Sequence, residues 1–320
     1  MSTPLITVFG ATGAQGGGLA RALLQDPQRR LRVRAITRHP GGTGAQALSA
    51  LGAEVIQADL DDPASLLRAM QGAHGAFCVT NYWEHQSPER ELRQAEHMAE
   101  AARAAGLRHV IWSTLEDSRA YLPPNGEQMP VLQGRYNVPH MDIKGQADRL
   151  FSARELPLTR VYTSFYWDNL IHFGMGPQRG ADGRLLFVLP MGEKLLPGIA
   201  AEDIGACVAR LFLQGEAAVG RSVGLAGEHL SGAQMAEALS MALGEPVQYL
   251  AMPPQQYAQL GFAGAEDLAN MFQFKHDFNL SYCGARPVQP LRELYPALQD
   301  FRAWLAANAR RIPLPAPLAA

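Results

Sequence analysis

Three glycines stand at the spacing GxxGxxG near the start of the chain, at Gly10, Gly13 and Gly16. They follow an apolar run typical of a β-strand and precede apolar residues at helical spacing. Glycine permits a tight turn and a close backbone approach, while the start of the helix offers unpaired N–H groups and a positive dipole end. We therefore predict a pyrophosphate site, a glycine-rich turn without ligand being the alternative. The predicted contacts are Gly10, Ala11, Thr12, Gly13, Ala14, Gln15 and Gly16.

The residues after the second predicted strand indicate which dinucleotide is bound. NAD-binding proteins place an acidic residue there to accept from the ribose hydroxyl, but this chain reads Thr37, Arg38, His39. A guanidinium suits a 2′-phosphate by its charge and its fork geometry. We therefore predict that Arg38 selects NADP(H) as cofactor; the alternative is a solvated surface arginine.

Polar residues also follow the third and fourth predicted strands. Asp59 lies where a carboxylate can accept from the adenine amino group, although Asp61 and Asp62 could simply open the next helix. After the fourth strand, the contacts predicted near ribose and nicotinamide are Thr80, Asn81 and Tyr82. A capped loop is the alternative for these three residues.

Residues 139–144 decide whether catalysis is expected. Typical short-chain reductases have a tyrosine four residues before a lysine, and the lysine lowers the pKa of the phenol for proton transfer. Here His140 stands at the tyrosine position, and Lys144, one of three lysines in the chain, is expected to bind ribose hydroxyls. If the protein is an enzyme, Lys144, His140 and Ser113 are the catalytic candidates. The alternatives are a capping or packed histidine and a serine that satisfies nearby backbone.

The elements that must position these residues alternate between strands and helices. The predicted strands are Leu5–Phe9, Val33–Thr37, Glu54–Gln57, Ala76–Thr80, His109–Ser113 and Thr159–Thr163, and the helices lie at 15–25, 63–71 and 87–105. Ser87 and Pro88 have the types expected at an N-cap and a first helical position. This order predicts an α/β fold, a Rossmann doubly wound parallel sheet with right-handed crossovers.

The second half predicts a smaller, discontinuous α/β domain. A helix at about 201–213 and a strand near 222–226 are expected to rejoin the first domain, and Ser231 with Gln234 predicts a capping box. The predicted domains are 1–163 plus about 199–226, and about 164–198 plus 227–312, with a flexible tail at 313–320. Phe165, Tyr166 and Trp167, with Tyr82, could line an apolar pocket or belong to the core. The segment 121–137 is a lid, a mobile loop or a tolerated insertion.

Composition excludes several classes of protein. The 320 residues are 47% hydrophobic and carry a net charge of −2. The basic residues do not form a stripe, so we do not expect direct nucleic-acid binding. Cys78, Cys207 and Cys283 lack the spacing of a disulfide framework or a zinc site, so we expect a cytoplasmic protein without a metal. No apolar run reaches the roughly 20 residues of a membrane helix.

An ordered set of segments carries a family resemblance along nearly the whole chain: FGATGAQGG, ITRHP, GAEVIQADLDD, VTNYWE, STLED, HMDIK, FYWDNL and LGFAGAEDLANMFQF. Together they resemble the NmrA-like family of atypical short-chain dehydrogenase/reductases, in particular its vertebrate redox-sensor branch. The resemblance implies NADP(H) bound between the two domains and a regulatory role read by protein partners, without turnover.

The resemblance also implies binding positions. They are Gly10 through Gln15, Arg38, Asp59, Leu60, Thr80, Asn81, Tyr82, Lys144, Tyr166, Trp167, Asp168 and Asn169. Arg93 stands where the redox sensor has a lysine, which changes the donor geometry at a position expected to contact phosphate or ribose.

Two functions follow from the same cofactor site. In the first, a redox-sensing regulator, the nucleotide orders segments 121–137 and 165–197 and so changes a surface for an unidentified protein partner or a second copy. The alternative is an NADPH-dependent oxidoreductase of a quinone, enone or other small carbonyl compound. The missing tyrosine favours the sensor.

Overall fold

The computed structural model describes residues 3–122 and 128–315, which form two compact units. Unit 1 comprises Met1–Asp117, His140–Thr163 and Ala201–Val223, and unit 2 comprises Ser118–Pro139, Ser164–Ala200 and Gly224–Ala320. The chain therefore leaves unit 1 after Thr163 and returns to it with a helix and a strand.

The central sheet of unit 1 has seven strands in the order β11-β6-β5-β4-β1-β2-β3. Their bounds, numbered along the chain, are β1 Leu5–Val8, β2 Arg32–Thr37, β3 Glu54–Gln57, β4 Gly75–Cys78, β5 His109–Thr114, β6 Leu158–Tyr162 and β11 Ser222–Gly224. The pairs among β1–β6 are parallel, with registers such as Ile6 opposite Val33 and Ile6 opposite Gly75. All six predicted strands are confirmed, and the strand order reverses between β1 and β4, where doubly wound folds bind ligands.

Six helices accompany this sheet. They are α1 Ala14–Leu24, α2 Thr43–Ala50, α3 Pro63–Met70, α4 Pro88–Ala104, α5 Pro139–Ser152 and α7 Ala201–Gln214. Ser87 Oγ accepts from Arg90 N at 3.3 Å with Pro88 at the first helical position, which confirms the predicted start of α4. Helix α2 has no counterpart in the sequence prediction.

The strands are apolar because both faces of the sheet are covered. β1, β4 and β5 are buried along their whole length. One core cluster joins Trp112 of β5 to Met98 of α4 and Phe151 of α5, all fully buried.

Unit 2 contains two small sheets, with strand orders β12-β10-β7 and β13-β9-β8. The strands are β7 Phe165–Tyr166, β8 Gln178–Arg179, β9 Leu185–Leu189, β10 Leu195–Ile199, β12 Glu228–Ser231 and β13 Val247–Ala251. Its helices are α6 Asn169–His172, α8 Gly232–Leu243, α9 Pro254–Ala258, α10 Ala265–Asp277, α11 Asn279–Gly284, α12 Val288–Leu294 and α13 Phe301–Asn308. The predicted Ser231–Gln234 capping box is present at the start of α8.

The segment 118–139 groups with unit 2, whereas the sequence placed it in the first domain. The reason is a set of contacts with α10. Asn270 Nδ2 donates to Pro130 O at 2.9 Å and to Asn137 O at 2.6 Å, and the ring of Tyr121 packs edge-on against Phe274. Residues 123–127, part of the segment predicted as a lid or insertion, lie outside the described residues, as does the predicted tail after residue 315.

No helix in the described part of the chain is both long enough and apolar enough to cross a bilayer.

Candidate functional site

The predicted glycine turn lies at the carboxyl end of β1. Gly10 has φ +60°, a backbone conformation that favours glycine, and its carbonyl accepts from Gly13 N at 2.9 Å. A Cβ on Gly16 would lie 2.4 Å from Gly10 O and 2.6 Å from Phe9 O, so only glycine lets α1 start this close to the strand. The chain therefore passes from strand to helix in a narrow turn.

The start of α1 suits an anion. No described side chain caps this helix, whose N-cap is Gly13, and its first turn carries no acidic residue. N–H groups and the positive dipole end are therefore available to phosphate oxygens. Gln15 in the first turn is held by Ser113, whose Oγ donates to Gln15 Oε1 at 2.7 Å. The turn thus fits the pyrophosphate of a dinucleotide.

Arg38 follows β2 and reaches toward the loop after β4. Its side chain is half-exposed and forms an ion pair with the Glu84 carboxylate. Its own carbonyl accepts from Gln57 Nε2 at 3.2 Å. The guanidinium predicted to hold a 2′-phosphate therefore lies at the correct sheet edge with a carboxylate already on it. Sequence reasoning missed Glu84, because the two residues are 46 positions apart.

The aspartates that follow β3 make different contacts. Asp59 Oδ1 accepts from Asp61 N at 2.9 Å, and Leu60 O accepts from His97 Nδ1 at 2.9 Å. Asp62 caps α3 through Ala64 N and Ser65 N, as the alternative interpretation expected. Asp61 instead forms an ion pair with Arg90 at 2.6 Å. Burial favours a higher pKa for Asp61, but Arg90 and Gln94 lower it overall.

Lys144 lies in a buried polar cluster beneath the loop after β4. Its Nζ donates to Thr80 Oγ1 at 2.8 Å and to Thr80 O at 3.0 Å, and it pairs with Glu91 Oε1 at 3.1 Å. The ring centroid of Trp112 is 5.3 Å from the same nitrogen. An ammonium has three N–H donors, and three oxygens surround this one. Contact with a ribose hydroxyl, as predicted, would therefore require Lys144 to exchange one of these partners.

Glu91 is a second residue that sequence reasoning missed. Its side chain is 1% exposed, its Oε1 also accepts from Thr80 Oγ1 at 2.5 Å, and its Oε2 is buried without a hydrogen-bond partner. Glu91 sits in the first turn of α4, where a carboxylate normally faces solvent beside the helix dipole. Full burial instead makes it the counter-ion of Lys144.

A short 3₁₀ turn, Tyr82–Glu84, brings aromatic rings to His140. The imidazole centroid lies 4.9 Å from that of Trp83 and 6.4 Å from that of Tyr82. His140 is 7% exposed and Trp83 is 36% exposed. His140 is therefore packed against aromatic rings, as the alternative interpretation expected, and a role beside the nicotinamide stays a prediction. Asn81 is exposed at the start of this turn.

The remaining predicted contacts belong to other elements of the chain. Arg93 is exposed on α4. Tyr166, Trp167, Asp168 and Asn169 belong to unit 2, where Trp167 is 1% exposed and packs against Phe301 and Trp304. The ring of Trp167 is therefore a core ring, the alternative to a pocket wall, and Phe165 is buried as well.

Two other classes of site lack support among the described residues. No group of three or more His, Cys, Asp or Glu side chains is arranged to hold a metal there. Burial raises the pKa of the Cys78 thiol far above its usual range, which disfavours the nucleophilic thiolate.

Sequence comparison shows which known proteins this chain resembles. The sequence model of the NmrA-like family matches residues 2–305. A curated relative, the NmrA-like family domain-containing oxidoreductase lnbB of Aspergillus flavus, is 28% identical over 304 residues, covering 89% of this chain and 87% of the relative. The curated relatives found include further fungal proteins named as oxidoreductases of the same family.

Solved structures share the fold. NmrA, a negative transcriptional regulator, was solved with NAD and with NADP; it is 24% identical, covers 97% of this chain and 95% of its own, and superposes with TM-scores of 0.77 and 0.76. The Citrobacter sp. triphenylmethane reductase complexed with NADP(H) is 17% identical, with a TM-score of 0.73 over 96% of this chain and 100% of its own.

The doubly wound sheet and its glycine turn define a Rossmann-type α/β protein of the kind that binds dinucleotides. The chain belongs to the NmrA-like family, which confirms the resemblance seen in the sequence. Its special likeness to the redox-sensor branch stays a prediction.

Proposed function

We propose that unit 1 binds NADP(H) at the carboxyl edge of its sheet. The observation that carries this proposal is the uncapped start of α1 behind the Gly10 turn, with Arg38 at the end of the neighbouring strand. The turn would hold the pyrophosphate by backbone N–H groups, and Arg38 would pair with the 2′-phosphate. The NADP-bound structures of NmrA and of triphenylmethane reductase, which have the same fold, support the same choice of cofactor.

We further propose that the protein reports the state of this nucleotide to a protein partner and does not turn it over. The supporting observation is the Lys144 cluster. In a reductase the lysine acts on a tyrosine, yet position 140 is histidine and the ammonium already has Thr80 and Glu91 as partners. Regulation then requires that NADPH and NADP⁺ differ in affinity for two states of the protein.

A specific observation favours a second candidate, an NADPH-dependent oxidoreductase. Tyr82, Trp83 and His140 form an aromatic wall that includes an imidazole, which suits a planar carbonyl compound such as a quinone or enone. NADPH would supply the hydride, and His140 is the group placed to give a proton to the carbonyl oxygen. The relatives named as oxidoreductases point in the same direction.

Loss of NADPH absorbance with a panel of quinones, enones and aldehydes separates the two candidates, after equilibrium titration has established NADPH binding. The variants are His140→Phe and the double variant Glu91→Gln/Lys144→Met, which leaves no unpaired buried charge; Lys194→Ala, at an exposed lysine of unit 2, is the control. We expect tight binding and no turnover. Steady turnover that falls at least tenfold in His140→Phe, but not in the control, would establish the oxidoreductase. Failure to bind NADPH would refute both.

A further inference from the structure

The ion pair between Arg38 and Glu84 crosses the proposed nucleotide site. Arg38 follows β2, Glu84 ends the turn after β4, and β1 lies between these two strands in the sheet. Neighbouring strands are about 4.8 Å apart, so the two side chains together bridge about two strand spacings. They therefore meet beyond the carboxyl end of β1, on the side where the Gly10 turn is proposed to hold the pyrophosphate.

We propose that Glu84 is a specificity-determining residue that narrows the preference for NADP(H) over NAD(H). This inference rests on the proposed cofactor site. A 2′-phosphate and the Glu84 carboxylate are both anions, and they compete for the one guanidinium of Arg38. Glu84 contacts only Nη1 of Arg38, but a 2′-phosphate on the same guanidinium would bring two anions together, so binding of NADP(H) favours displacement of Glu84. NAD(H) has a 2′-hydroxyl, which can donate to the Glu84 carboxylate while Arg38 keeps its ion pair.

Glu84 thereby supplies the acid that is missing after β2. In NAD-binding folds that acid follows the second strand, where this chain has Arg38 and His39. The carboxylates of the β3 loop are engaged elsewhere, Asp61 by Arg90 and Asp62 by the start of α3. Of these acids, Glu84 is the one that contacts Arg38.

Replacing the Glu84 carboxylate by a 2′-phosphate on Arg38 costs little free energy, because the Arg38–Glu84 pair is open to water. The Arg38 and Glu84 side chains are 48% and 40% exposed, and exposed ion pairs contribute little to stability. A second cation, Arg90, also lies within electrostatic range of Glu84. The pKa of Arg90 is raised first by its partner Asp61, and the charge of Glu84 adds to this effect.

Calorimetric titration of the full chain with NADP⁺ and with NAD⁺ tests the inference. For Glu84→Gln we expect NADP⁺ to bind about two- to fivefold more tightly, since the competing carboxylate is gone. We expect NAD⁺ to bind about two- to fivefold more weakly, since the hydroxyl loses a charged acceptor. Glu96→Gln is the matched control, because Glu96 is 44% exposed and its partner Arg154 keeps Glu100.

Arg38→Ala, alone and with Glu84→Gln, completes a double-mutant cycle. The competition predicts that most of the NADP⁺ gain from Glu84→Gln disappears when Arg38 is absent. Wild-type protein that binds neither nucleotide would refute the cofactor site and this inference with it. Wild-type binding with an unchanged NADP⁺ to NAD⁺ ratio in Glu84→Gln would overturn the role of Glu84 alone. A gain that persists in full without Arg38 would overturn the competition.

Discussion

At the scale of single residues, the buried Lys144–Glu91 pair should be sensitive to mutation. Two opposite charges are buried together, and each is hydrogen-bonded to Thr80. Burial removes the hydration of both ions, so the pair is stable only while both partners are present. Glu91 Oε2 has no hydrogen-bond partner. If the contacts of Oε1 were lost, no hydrogen bond at Oε2 would compensate for them.

Glu91→Gln should therefore destabilise the protein by about 3 kcal/mol, because it leaves the Lys144 ammonium buried beside a neutral group. The free energy of unfolding in urea measures the effect. Adding Lys144→Met in the same chain should restore most of the loss, since no unpaired charge then remains.

Glu96→Gln is the control for this prediction too, because it lies on the same helix in an exposed pair and should cost less than about 1 kcal/mol. A loss in Glu91→Gln no larger than in Glu96→Gln would show that the buried pair contributes nothing.

At the scale of elements, α1 is fixed in place by its contact with α7 within unit 1. A Cβ on Gly205 of α7 would lie 2.0 Å from Leu19 N, and a Cβ on Gly18 would lie 2.9 Å from Glu202 O. The two helix backbones thus touch through glycines. Since the start of α1 is the proposed phosphate site, this contact sets where the site lies on the sheet.

Gly205→Ala should destabilise the protein by about 3 kcal/mol, because a methyl group has no room and the helices must separate. It should also weaken NADP⁺ binding by shifting α1. Urea unfolding and titration of the same preparation measure the two effects.

Gly44→Ala, in helix α2, is the matched control. A Cβ on Gly44 would lie 3.4 Å from the nearest atom, which belongs to the Thr12 side chain, and this is an ordinary van der Waals contact. Alanine should stabilise that helix by up to about 1 kcal/mol. If both alanines had the same sign of effect, the helix contact would not be the reason.

At the scale of the whole molecule, His109 makes stability depend on pH. It is buried at the start of β5, its Nε2 lies 2.9 Å from Thr159 Oγ1, and its Nδ1 has no hydrogen-bond partner. Burial, with a smaller contribution from His74, lowers the pKa of His109 to about 4. The folded protein therefore resists a proton that the unfolded chain takes up near pH 6.5.

Between these two pKa values the unfolded state binds more protons, so the free energy of unfolding should fall as the pH drops from about 6.5 to about 4, by at most about 3 kcal/mol. His109→Gln should remove most of this slope, as measured by urea unfolding at stepwise pH. His172→Gln, at an exposed histidine, should leave the slope as in the wild type. If His109→Gln left the pH dependence of the free energy of unfolding unchanged, other groups would be responsible for that dependence.

Local signals in the sequence determined much of unit 1. The six strands, the glycine turn and the start of α4 depend on residue types close together in the chain, and each was predicted within two residues. Arg38 after β2 was likewise visible as a residue type in a position. The strand pairing of unit 2 was not predicted, because the strands are short and pair across long separations; β13, for example, pairs with β9.

Only the tertiary structure decided what the polar residues contact. Lys144 meets Thr80 from 64 positions away, and Arg38 meets Glu84 from 46. The segment 118–139 joins unit 2 through hydrogen bonds to Asn270. Local propensity reflects the backbone near a residue, whereas burial, ion pairing and hydrogen-bond partners depend on which distant elements the fold brings together. The sequence therefore determined the sheet and its glycine turn, while packing decided which partners the charged side chains have.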